Sequence, residues 1–178
     1  MLGDATGVET LIAAVKPMKW DRGWNFTGMG QFGAAQSRLD SYLVALGRTR
    51  DKRAVQPILE KLAELTPESE FSHCHAVAMA LEALRDPAAA KSLADLLAKP
   101  DVAGHAVTTI EQAVGTATSN PNDTATRNKA LRELILARAL YRCGDYQGLG
   151  GKILREYARD LHGLYAWHAQ AVLRERRR

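Results

Sequence analysis

Apolar residues recur along the chain at a fixed set of offsets from particular aspartates. After Asp51 they fall at Ala54, Val55, Ile58, Leu59 and Leu62, and after Asp86 at Ala89, Ala90, Leu93, Ala94 and Leu97. These are offsets of 3, 4, 7, 8 and 11, which together make one face of an α-helix. The same offsets from Asp4 pick out Gly7, Val8, Leu11, Ile12 and Val15. After Asp145 the pattern returns with a one-residue slip, at Leu149, Ile153, Leu154 and Tyr157. Each aspartate stands where an N-cap belongs, its carboxylate placed to accept hydrogen bonds from the free amides of the next helix. Pro87 fits the first position of such a helix.

The residues before each aspartate repeat as well. Ala45-Leu46, Ala80-Leu81 and Ala139-Leu140 each precede an aspartate by the same spacing, in Asp51, Asp86 and Asp145. The unit is therefore helix, tight turn with a capping aspartate, helix. The first two copies lie 35 residues apart, a period that belongs to HEAT-like and related α-solenoids. The expected fold is all-α: a single HEAT-like helical-repeat domain over 1–178, a right-handed array of antiparallel helix pairs. Pairs are predicted at about 37–65, 69–98 and 125–160, followed by a last helix at about 161–175. Irregular stretches are expected at about 17–34 and 99–124. The opening helix, at about 5–16, begins on the turn and lacks a first partner. That places the start of the chain in mid-repeat and implies a piece of a longer protein; the other reading is a natural start with an atypical cap.

Composition supports helix over sheet. Hydrophobic residues are 46% of the chain, with 29 Ala and 22 Leu against 9 Val and 5 Ile. No apolar run reaches the roughly 18 residues of a membrane span, and no secretion leader is visible. The net charge of +4 is concentrated in the tail Arg174-Glu175-Arg176-Arg177-Arg178. A nucleic-acid-binding solenoid spreads its basic residues along one surface, so a solvated tail is expected and nucleic acid is not the expected partner. Cys74 and Cys143 read as buried small hydrophobes rather than a disulfide.

Several motifs suggest chemistry without meeting its requirements. Gly28-Met29-Gly30-Gln31-Phe32-Gly33 matches the spacing of a dinucleotide loop, but no strand precedes it. His73-Cys74-His75 places adjacent side chains about 100° apart on a helix, so the three do not share one metal ion. His162 and His168 do not stack on one helical face. Arg132, Arg138 and Arg142 are expected to form a solvated face or to pair with acidic neighbours. Asp123 or Thr124 is the expected cap of the longest helix. Catalytic, cofactor and metal residues are therefore assigned to none. The aromatic-rich stretch carrying Trp20, Asp21, Trp24, Phe26 and Phe32 is the candidate interaction surface, because recognition often sits on an irregular loop held by a rigid scaffold. Trp20-Asp21 near Trp24 also resembles the aromatic-plus-aspartate arrangement of HEAT-like DNA glycosylases, an enzymatic alternative centred on Asp21.

Four stretches resemble the C-terminal helical-repeat region of a bacterial FAD-dependent oxidoreductase family. They are Lys19 to Phe26 with Gly28 to Gly33, Asn128 to Leu134, Ala139 to Tyr146, and Ile153 to Asp160. In that family the flavin belongs to an N-terminal domain outside this sequence. The resemblance implies a non-catalytic scaffold segment with no cofactor of its own, FAD being held by the absent N-terminal part. The expected partner is a protein or that N-terminal domain, with no membrane contact. A free-standing HEAT-repeat adaptor is the alternative.

Overall fold

The computed structural model describes residues 7–21, 36–117 and 124–175. Among these the chain is all helix and turn, with no strand. The helices are α1 (Val8–Val15), α2 (Arg38–Arg48), α3 (Val55–Ala63), α4 (Phe71–Leu84), α5 (Ala89–Leu97), α6 (Ile110–Thr116), α7 (Ala125–Arg142), α8 (Leu149–Tyr157) and α9 (Gly163–Glu175). The predicted spans 37–65, 69–98 and 125–160 each hold two helices: α2 and α3, α4 and α5, and α7 and α8.

The turns between paired helices show why the aspartates repeat. Asp51 Oδ1 accepts from the Arg53 amide at 2.9 Å, and Asp86 Oδ1 from the Ala88 amide at 2.9 Å. Asp145 Oδ1 reaches the Gly151 amide at 3.0 Å. The residue before each aspartate is left-handed: Arg50 (φ 58), Arg85 (φ 51) and Gly144 (φ 117). The slip after Asp145 has a backbone cause. Asp145, Gln147 and Gly148 also take positive φ, so the chain follows a different path into α8, over a connection no longer than that between α2 and α3. Pro87 lies in the turn rather than in the helix, which starts at Ala89.

α2, α4, α7 and α9 form a row in which every neighbour runs in the same direction. Asp40 near the start of α2 bonds His73 near the start of α4, and Gly47 near the end of α2 meets Ala80 toward the end of α4. Arg138 in the second half of α7 pairs with Glu82 near the end of α4 and bonds His168 of α9. Arg142 at the end of α7 pairs with Glu175 at the end of α9. α3 packs between α4 and α5, while α8 packs between α7 and α9.

Small residues permit the close crossings. A Cβ added at Gly47 would sit 2.3 Å from Ala80 Cα, and one at Gly150 would sit 2.8 Å from the Ala137 carbonyl oxygen. Leu39, Leu43, Leu46, Leu81, Leu136 and Leu140 are completely buried around these crossings.

The stretch 99–124 is less irregular than its sequence predicts. It contains α6, started by a capping box in which Thr109 and Gln112 exchange side-chain and backbone bonds. The segment before α6 is anchored by buried side chains. Glu133 accepts from the Gly104 and His105 amides at 2.9 and 2.8 Å and from the Tyr157 hydroxyl at 2.9 Å. Asp160 accepts from the Val107 amide at 2.8 Å. These carboxylates satisfy amides that no helix ladder reaches.

Gly47→Ala is expected to lower stability by about 1–3 kcal/mol through overpacking against α4. Gly115→Ala, where an added Cβ meets nothing within 4 Å, serves as the control and leaves stability unchanged or slightly raised, because alanine favours helix. Chemical denaturation of both variants tests the pair; equal midpoints would contradict the close crossing.

Candidate functional site

Trp20 and Asp21 are placed where the chain leaves α1 and approaches the starts of α2 and α4. The Trp20 ring lies against His73, with ring centroids 4.5 Å apart and planes tilted by 33°. His73 Nδ1 is 2.8 Å from Asp40 Oδ1, and Asp40 also closes the capping box of α2 with Ser37. Burial works against the Asp40 carboxylate. The bonds from His73 and Ser37 outweigh it and hold its pKa below the ordinary carboxylate value. Asp21 Oδ2 accepts from the Arg38 amide at 3.4 Å, at the first turn of α2. Trp20 Nε1 and Asp21 Oδ1 are buried without a hydrogen-bond partner among the described residues. The base of the predicted aromatic surface is thus docked on the α2–α4 contact. Trp24, Phe26 and Phe32, with the glycine motif at 28–33, lie outside the described residues.

The His73-Cys74-His75 triplet splits in three directions. His73 turns to Asp40, Cys74 is buried, and His75 stacks on Phe71 with centroids 5.6 Å apart. Burial pushes the Cys74 and Cys143 thiols up to about 11 and about 12, so both are inert as nucleophiles near neutral pH. Among the described residues, no group of three or more His, Cys, Asp and Glu side chains is placed to hold a metal ion.

A groove crosses the row of parallel helices. α2 contributes Val44 and Arg48, α4 contributes His75, Met79, Glu82 and Ala83, and α7 contributes Arg138 and Arg142, around a depression of about 330 Å³. A second depression of about 170 Å³ adjoins it, sharing Arg142 and adding Arg85, Tyr141, Gly144 and Glu175. Helical spacing puts these side chains on one face of each helix. The tertiary row brings the three faces together.

Charge in the groove is organised around one acid. Glu82 accepts from Arg138 Nε at 2.5 Å and Nη2 at 3.0 Å, and from Arg142 Nη1 at 3.3 Å. Arg142 turns its other edge to Glu175, donating at 2.7 and 2.9 Å from Nη2 and 3.2 Å from Nε. Arg138 Nη1 donates to His168 Nε2 at 3.2 Å, which requires the neutral imidazole at that nitrogen. Burial, then the Arg138 charge, depresses the pKa of both His75 and His168. Arg48 and Arg85 are exposed at the groove and carry no ion pair among the described residues.

Of the two readings of Arg138 and Arg142, a solvated face or partners for acidic neighbours, the structure shows the second, in a groove that spacing does not reveal. Arg132 differs from that expectation. It is buried and donates to the carbonyl oxygens of Pro67 and Asp101, tying the turn before α4 to the segment before α6. Among the described residues, no helix is long and apolar enough to cross a membrane. Searches against family models, curated proteins and solved structures return no match to this chain.

The two depressed histidines set a pH dependence. The fold favours their neutral forms, so their contribution is fully present above the unfolded value of 6.5 and is lost as pH falls through the folded values. Asp40 adds a further loss as pH falls below its unfolded value of 3.8. Thermal unfolding is therefore expected at lower temperature at about pH 5.5 than at about pH 7.5. Replacing His75 and His168 with Gln should flatten that difference; an unchanged slope would contradict the assignment.

Proposed function

We propose that this chain is a non-catalytic interaction segment, a HEAT-like α-solenoid that presents one face of its parallel helices to a protein partner. The observation that carries this reading is the groove across α2, α4 and α7, with its apolar floor and guanidinium rim. Further support comes from the α2–α4 register: Asp40 and His73 are 33 residues apart, close to the 35-residue sequence period. The charged groups of the groove hold neighbouring helices together, a structural use of charge that suits a rigid platform. Attachment to a flavin-bearing N-terminal part, as the tail of a FAD-dependent oxidoreductase-like polypeptide, rests on the resemblance of the four sequence stretches. In that setting the partner is the flavin domain itself.

A photo-crosslinking residue at Val44, in the groove, tests the reading inside the natural polypeptide. It is expected to crosslink to one defined protein surface, or to the polypeptide's own N-terminal part, well above the level given by the same group at exposed Lys91 on α5. Equal yields from the two positions would contradict it. Purifying that polypeptide and recording its visible absorption separates the flavoprotein tail from the free-standing adaptor.

A further inference from the structure

The geometry points to the groove across α2, α4 and α7 as a binding site for an acidic peptide segment, with Glu175 holding the place of one ligand carboxylate. The inference rests on the interaction-segment reading and specifies the chemistry of the partner.

The fork of Arg142 already displays the recognition mode. Its Nε and Nη2 grip the Glu175 carboxylate at distances of 2.7 to 3.2 Å, the two-nitrogen geometry that matches a planar carboxylate. Glu175 is the weakly held member of the network. Its side chain is 50% exposed, whereas Glu82 is 11% exposed and Arg142 22%. An exposed ion pair of this kind contributes little to stability and exchanges readily. Glu82, by contrast, is gripped by two arginines from the adjacent helix and stays in place. A carboxylate from outside can therefore take the Glu175 position without dismantling the contact between α4 and α7.

The rest of the groove fits an extended peptide around that point. Arg48 in the larger depression and Arg85 in the smaller one supply guanidinium groups without an ion pair among the described residues, and Arg142 lines both. Val44, Met79 and Ala83 give the larger depression an apolar lining suited to one aliphatic side chain of the ligand. Methionine adapts its shape to such a guest. A nucleic acid is the poorer match: among the described lining residues of the two depressions, His75 and Tyr141 alone carry rings on which bases stack, and His75 is already stacked on Phe71.

The test is fluorescence polarisation with a fluorescein-labelled hexapeptide, Asp-Glu-Leu-Glu-Asp-Glu, at about 50 mM salt, where the Debye length leaves surface charge effective. The full chain is expected to bind this peptide and not its all-lysine counterpart. Arg48→Gln should weaken binding about threefold or more, and Glu175→Gln should tighten it about threefold or more, because the internal competitor is gone. Arg48 is exposed and Glu175 half-exposed, so both variants are expected to fold, and circular dichroism checks this. No binding, an unchanged affinity in Glu175→Gln or Arg48→Gln, or tighter binding of a single-stranded oligonucleotide of equal charge would overturn the proposal. If the peptide fails while Val44 still crosslinks to a partner, the interaction reading stands and the acidic assignment falls. If both fail, both readings fall.

Discussion

The approach of α2 to α4 governs the rest of the molecule. Gly47 lets the backbones meet at Ala80, where a methyl group would lie 2.3 Å from a backbone carbon. At the other end of the same helices, Asp40 and His73 join across the contact in a buried hydrogen bond of 2.8 Å. One feature sets the separation and the other sets the register. Two helices fixed at both ends, running the same way, bring Val44 and Arg48 alongside His75, Met79 and Glu82. The groove follows from that alignment.

The row extends by a different chemistry. Between α4, α7 and α9 the polar ties are ion pairs from Arg138 and Arg142 to Glu82 and from Arg142 to Glu175, with a hydrogen bond from Arg138 to the neutral His168. Exposure rises along this chain of contacts, from Glu82 to Glu175. The α4–α7 pairing is well buried, and Glu175 is not. The segment 99–109 interrupts the helix pattern between α5 and α7 at little cost in unsatisfied backbone, since Glu133 and Asp160 receive its amides. Arg132 donates to the carbonyl oxygens of Asp101, within this segment, and of Pro67, in the turn before α4.

Much of this was legible in the residues themselves. The aspartate offsets placed the paired helices within a few residues, because a one-face apolar pattern and a capping carboxylate are local properties. The capping box at Thr109 and Gln112 is equally local, but it opens a helix of only seven residues in a stretch rich in threonine and other polar residues. Spacing sets Arg132, six residues before Arg138, off the face that Arg138 and Arg142 share, but it does not tell which face is buried. All three lie on one long helix, and only the packing of Pro67 and Asp101 decides which of them is buried. The groove was invisible for the same reason: its residues are drawn from three helices whose alignment depends on Gly47 and His73. Trp20 and Asp21 were singled out as contact residues, and the contact they make within the described residues is with the starts of α4 and α2.

The register of α2 against α4 is tested most directly by a double-mutant cycle on Asp40 and His73. Unfolding free energies of the parent, Asp40→Ala, His73→Ala and the double variant give the coupling between residues 33 apart in sequence. A buried hydrogen bond to a charged group predicts a coupling of about 1.5–3 kcal/mol. Effects that add to within about 0.3–0.5 kcal/mol would mean that the two side chains do not meet, and the parallel row with its groove would lose its foundation.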